Sequence, residues 1–261
     1  MKILLFILLS TFIAFSNFSF AQDINFNQDD NISSYDDEKG YFSIAAGYTA
    51  NLKFINTNEL DNISNKFSLP KIAIPIFTNG FELKTSTIIF KNLNFGFITS
   101  SSEVIQNADI LNPVSKEIYH KQLSLNFDNI GFMLDYAINP FKSFSINPGV
   151  NISFSKMQIQ ISQTKSDINY NDITPINLQD NYFHSFSKDF IIIEPKISIE
   201  YAITNFLMFR ATTSYSIALD NFITNKDWTY NSTGNLFYTP SDLSPSGLNI
   251  QLGLFLGLMN F

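Results

Sequence analysis

Two histidines and one set of mixed charges are the residues of this chain with chemistry to offer. A histidine held against a serine can take the hydroxyl proton and make the oxygen a nucleophile. His120 has Ser124 four residues on, and His184 has Ser185 next to it and Ser187 three on. A polar histidine at the surface is the plainer reading of both. There is no HExxH, no GxSxG and no glycine-rich phosphate loop. There is no cysteine, which excludes thiol nucleophiles, disulfides and thiolate metal sites. No catalytic, metal or cofactor site is assigned, and no cofactor is expected. The mixed charges are Glu82, Lys84, Asp135, Glu194, Lys196, Glu200 and Arg210. Enclosed in a fold, such charges have to pair with one another. They would line a conduction path or a proton-linked site, or close the interior as a plug of salt bridges.

The elements that carry these charges alternate apolar with small or polar residues, the period-2 pattern of strands. One face of the first strand holds Phe42, Ile44, Ala46, Tyr48 and Leu52. Seven more runs follow, from Phe81, Leu93, Leu123, Phe144, Ile191, Leu207 and Leu248. The apolar parity switches at Asp128-Asn129, which predicts a β-bulge there, and it changes again near Lys156. Pro148 and Pro195 fall inside strands and predict local breaks, since proline cannot donate to a ladder. No segment of useful length has helical periodicity.

Bulk composition agrees with a chain that does not show all of its surface to water. Aromatics make up 15% with 28 phenylalanines, and charged residues only 15%, against about 25% in soluble domains. The net charge of −7 and the lack of a basic cluster argue against nucleic acid. Residues 1–21 read as a secretory signal peptide: Lys2, an apolar run from Ile3 to Phe15, and Ser19-Phe20-Ala21 as the cleavage site. Residues 22–40 are acidic and aperiodic, a flexible lead-in. The barrel is expected over 41–261.

The connections come in two kinds. Lys91-Asn92, Asn139 to Lys142 and Thr204-Asn205 are short turns; about 53–78, 104–119, 163–188 and 220–246 are long and polar. Short turns at one end and long loops at the other are the asymmetry of a membrane β-barrel, with termini on the short-turn side. Alternation alone leaves open a soluble lipocalin-like binding barrel, with apolar residues inside. Three features favour lipid outside. The polar face is mostly Ser, Asn, Gly and Thr; its few charges have both signs; and aromatics, among them Tyr136, Phe141, Tyr201 and Phe206, gather near the short turns as a girdle would. "DYAINPF" from Asp135 and "EYAITNF" from Glu200 repeat one pattern: an acid to the lumen, a tyrosine to the girdle, and a phenylalanine opening the next strand.

The chain closes on "GLNIQLGLFLGLMNF", which resembles the C-terminal strand of bacterial outer-membrane proteins. Residues 41–261 as a whole resemble the small eight-stranded OmpA/OmpX-like outer-membrane barrels. That resemblance implies an all-β, antiparallel, up-and-down transmembrane barrel in the outer membrane. Its partners would be outer-membrane lipids and the barrel-assembly machinery, the latter through Phe261. The leucines of the last strand lie on the opposite parity to Phe261, and the leucine face is taken as lipid-facing. Outer-membrane lipid hydrolases write their catalytic pair His-x-Ser, which neither histidine here matches. The expected function is a non-enzymatic barrel with a plugged lumen, whose loops meet surface ligands. A small channel or transporter and a lipid-modifying enzyme are the alternatives.

Overall fold

The structure, a computed structural model, describes residues 42–87, 90–113, 116–165, 181–220, 228–231, 234–235 and 243–260. Eight antiparallel strands close a barrel: β1 (Phe42–Ile55), β2 (Ile76–Ser86), β3 (Leu93–Leu111), β4 (Ile118–Tyr136), β6 (Phe144–Lys165), β7 (Tyr182–Thr204), β8 (Leu207–Asp220) and β11 (Gly247–Asn260). Each pairs with its neighbour in that order, and β11 closes on β1 from Phe42↔Asn260 to Ile55↔Gly247. Three short strands complete the set: β5 (Ile138–Phe141), β9 (Thr229–Tyr230) and β10 (Gly234–Asn235). The closed eight-stranded barrel is the fold that the alternation and the terminal strand led us to expect. The segments 1–21 and 22–40, and Phe261, lie outside the described residues.

Four staves are much longer than the rest. β3, β4, β6 and β7 have 19, 19, 22 and 23 residues, whereas β1, β8 and β11 have 14 and β2 has 11. A membrane crossing takes only about 9–11 residues of strand. The long staves take in 104–111 and 118–119 of one expected loop, and 163–165 and 182–188 of another.

The bulge predicted at Asp128-Asn129 is absent. The β3–β4 and β4–β6 ladders run unbroken through Asp128, Asn129 and Lys156. What changes there is the environment. On β4 the outward face is Tyr136, Leu134, Phe132 and Ile130, then Asp128, Asn126, Ser124, Gln122 and His120. Its inward face is Asp135, Met133, Gly131 and Asn129, then Phe127, Leu125 and Leu123, the last three all buried. On β6 the outward series passes from Ile152 and Phe154 to Lys156, while Met157, Ile159 and Ile161 are buried inside. In the lower zone, toward the short turns, the apolar residues of β4 and β6 face mainly out; in the upper zone they face mainly in, with Ile118 at the tip an exposed exception.

The upper zone has its own core. Leu123, Leu125, Phe127, Met157, Ile159, Ile161, Phe190 and Ile192 from the long staves pack with Leu60, Leu69, Ile72, Trp228 and Leu243. Leu60 belongs to helix α1 (Asn58–Lys66), which the sequence reading missed. Nine residues make a marginal helix on its own. Burial of Leu60, with Glu59 and Asp61 in the first turn and Lys66 in the last, sets it in place.

The lower rim explains the repeated heptads. Tyr136, Phe141, Tyr201 and Phe206 are exposed, as a girdle requires, and Phe141 stacks on Phe144 at 4.6 Å. The alanine after each tyrosine is buried, and its N–H donates to the preceding turn: Ala137 to Asn92 (2.7 Å) and Ala202 to Ser143 (2.9 Å). Met259 makes the same bond to Asn205 (3.0 Å), a third copy in geometry that the sequence does not repeat. Near the prolines the ladders pause without shifting. β7–β8 pairing stops at Ile193↔Ile217 and resumes in register at Lys196↔Ser214, and β4–β6 pairing ends at Asp135↔Gly149, just before Pro148.

If the lower zone sits in lipid, the same substitution on the same outward face of β6 has depth-dependent effects. Ile152→Lys lowers unfolding free energy in lipid vesicles by about 2–4 kcal/mol, and Gln160→Lys by under about 1 kcal/mol. Urea titration of the two variants checks this.

Candidate functional site: the buried charge network

The lower zone requires small and polar residues inward, and the charges sit among them. Glu200 and Arg210 are directly opposed across β7 and β8. The Arg210 guanidinium donates through Nε to Glu200 at 2.8 Å and through Nη1 to Glu82 of β2 at 2.5 Å. Lys84, also on β2, reaches Glu200 at 2.5 Å. β2 and β7 are on opposite walls, four staves apart, so this ion pair spans the lumen. Lys84 and Glu200 side chains are both 0% exposed. Gln251 of β11 donates to the second oxygen of Glu82 at 2.6 Å. A second pair, Lys196–Asp135 at 3.0 Å, links β7 to β4. Glu194 stands apart. It accepts from Ser214 (2.6 Å), Ser216 (2.9 Å) and, at 3.5 Å, Asn151.

Six of the seven charges singled out in the sequence therefore fall into two ion-paired groups, and Glu194 into a hydroxyl-lined one. One buried charge was missed: Lys53, on the inward face of β1, with its ammonium 5.3 Å from the centre of the Phe127 ring. Its signal was present, because it continues the small-residue parity Ser43, Ala45, Gly47, Thr49 and Asn51. With it, four acids (Glu82, Asp135, Glu194, Glu200) face four bases (Lys53, Lys84, Lys196, Arg210). Formal charge among these eight groups balances, which burial favours.

Apolar groups bracket this section. Toward the short turns lie Ala45, Met208, Phe255 and Met259. Phe255 is the one aromatic side chain on the inward face of β11 among the described residues, and Arg210 stacks over its ring at 4.4 Å. The ring fits because Gly47 and Gly253 flank it; a Cβ on either would overlap it. The leucines of β11 all point outward, as the leucine-face reading expected. Above the charges lies the upper core, with Phe127 and Ile192 at its base.

The histidines are apart from the lumen charges. His120 is exposed and its Nδ1 lies 2.5 Å from Asp109, while the Ser124 hydroxyl bonds Glu103 and Asn126 instead. His184 stacks on Tyr182, and its Nδ1 is 2.7 Å from the Tyr230 hydroxyl. Trp228 is buried in the upper core, and Phe237 and Tyr238 lie outside the described residues. Among the described residues, no three acid or histidine side chains gather as a metal site would need.

No family model matches the chain, and no curated protein does. Solved structures of similar fold exist at low identity. One is a major outer membrane protein of Thermus thermophilus, with 10% identity, TM-score 0.43, and 84% of this chain and 100% of that chain covered. Another is Ail, the attachment invasion locus protein of Yersinia pestis, with 12% identity, TM-score 0.34 and coverage of 85% and 99%. A third is CarO2 of Acinetobacter baumannii, with 7% identity, TM-score 0.36 and coverage of 82% and 99%.

Arg210 holds two carboxylates, so its removal leaves Glu82 and Glu200 buried with one cation fewer. Arg210→Met is expected to cost about 3–5 kcal/mol, and adding Glu82→Gln to recover part of it. The single tryptophan, Trp228, reports urea unfolding of each variant.

Proposed function

We propose that this chain is an integral outer-membrane protein whose barrel is an anchor and seal, and whose upper zone is a platform for contacts at the cell surface. One observation carries the reading: along the unbroken ladder of β4 and β6 the apolar side chains pass from the outer face, as far as Ile130 and Phe154, to a buried inner face, from Phe127 and Met157 to Leu123 and Ile161. A lipocalin-like barrel would keep its apolar residues inside along its whole length. Here Phe132 is 67% and Leu258 69% exposed, while Lys84 and Glu200 are buried. Lipid is the solvent that suits such an exterior.

The lumen favours a seal over a channel. The Lys84–Glu200 pair joins opposite walls, Lys196–Asp135 ties β7 to β4, and apolar clusters lie above and below the charges. The same geometry weighs against a lipid-modifying enzyme. His120 is eight residues above Asp128, where the apolar band ends on β4, or about 26 Å along a strand. The partners in this reading are outer-membrane lipids along the lower zone, the assembly machinery during insertion, and a surface ligand on the upper zone.

Purified protein in planar bilayers is expected to give no steady single-channel steps, and their appearance would overturn the sealed-lumen reading. Membranes of expressing cells are expected to release the protein only with detergent.

A further inference from the structure

The outward face changes from apolar to polar at one register. Ser101 of β3 pairs with Asp128 of β4, Asp128 with Lys156 of β6, and Lys156 with Asp189 of β7. Each charge is two residues above an outward apolar side chain: Ile130, Phe154 and Ile191. Alternating charges on adjacent staves would ordinarily pair with each other across the sheet. These do not: among the described residues, the side chains of Asp128, Lys156 and Asp189 make no ion pair within 4.0 Å and no hydrogen bond. A crevice of about 390 Å³ opens at this level, lined by Thr99, Asp128, Ile130, Phe154, Lys156 and Asp189 among others. It is apolar on its lower side and charged on its upper side.

Resting on the membrane reading above, we propose that this crevice binds a phospholipid whose headgroup carries a phosphate and a primary ammonium. The acyl chain lies on Ile130 and Phe154, the phosphate meets Lys156, and the ammonium donates to Asp128 or Asp189. The spacing suits that headgroup. Three covalent bonds separate the phosphoester oxygen from the amine nitrogen in phosphoethanolamine, a reach comparable to the ~4.8 Å between adjacent strands. A purely anionic headgroup would set its charge against two carboxylates for one lysine. A quaternary ammonium has no N–H to donate to them.

Native mass spectrometry of the folded full-length protein tests this. It is extracted from micelles doped equally with phosphatidylethanolamine, phosphatidylcholine and phosphatidylglycerol. The expected result is one phosphatidylethanolamine retained per barrel, at least fivefold over the other two. That preference is lost in Lys156→Gln and in Asp128→Asn/Asp189→Asn, and kept in Gln160→Ala. Equal retention of the three lipids, or a preference that survives the substitutions, overturns the proposal. So does displacement of the lipid by free O-phosphoethanolamine, which would make the ligand a soluble one. Insertion into vesicles, read by heat-modifiable migration in SDS, is scored separately on the same samples. Failure to insert counts against the membrane reading itself, whereas insertion without selectivity counts against this site alone.

Discussion

A strand held in register on both sides cannot turn its side chains over. Each face must therefore suit every environment that the strand passes through. In this barrel β4 and β6 keep one register across two environments, and the sequence changes composition instead of geometry. Apolar residues stand on the outer positions as far as Ile130 and Phe154, and on the inner positions from Phe127 and Met157 onward. The short staves end near this level, and the upper core is completed by α1, Trp228 and Leu243. Desolvation drives both zones, with lipid outside in one and a protein core inside in the other.

The interior of the lower zone follows from the same constraint. Outward positions are given to apolar residues, so charges needed to fill or tie the lumen can stand only on inward ones. Once there they are buried, and each needs a partner it can reach. Glu200 finds Arg210 on the neighbouring stave and Lys84 on the opposite wall; Asp135 finds Lys196 two staves away. The glycines serve the same packing. Gly149 leaves room for Asp135, whose carboxylate a Cβ there would overlap. Gly47 and Gly253 leave room for the Phe255 ring beneath Arg210.

Much of this was legible from period and parity. Alternation located the eight staves, the leucines of the last one declared their face, and the acid-tyrosine-alanine repeat marked the rim. Parity also placed seven charges inside, but it could not say that Glu194 would be hydrogen-bonded by the Ser214 and Ser216 hydroxyls. The parity switches at Asp128 and Lys156 suggest bulges only when a single environment is assumed for each strand. A switch of environment writes the same pattern, and only the register distinguishes the two. Lys53 escapes notice because it stands where a stave meets a polar connection, and the helix after it because its nine residues carry only two apolar side chains, Leu60 and Ile63. Long-range pairings such as Lys84–Glu200 depend on how the barrel closes, which no local pattern encodes.

The central claim is that the outward face of each long stave leaves lipid for water at one level. The chain has no cysteine, so single spin labels can be placed along the even positions of β6 from Ile146 to Ser162. Accessibility to oxygen and to a polar nickel chelate is then read in lipid vesicles. The account predicts oxygen-favoured labels through Phe154 and chelate-favoured labels from Lys156 onward. Chelate access along the whole series from Ile146 would contradict it.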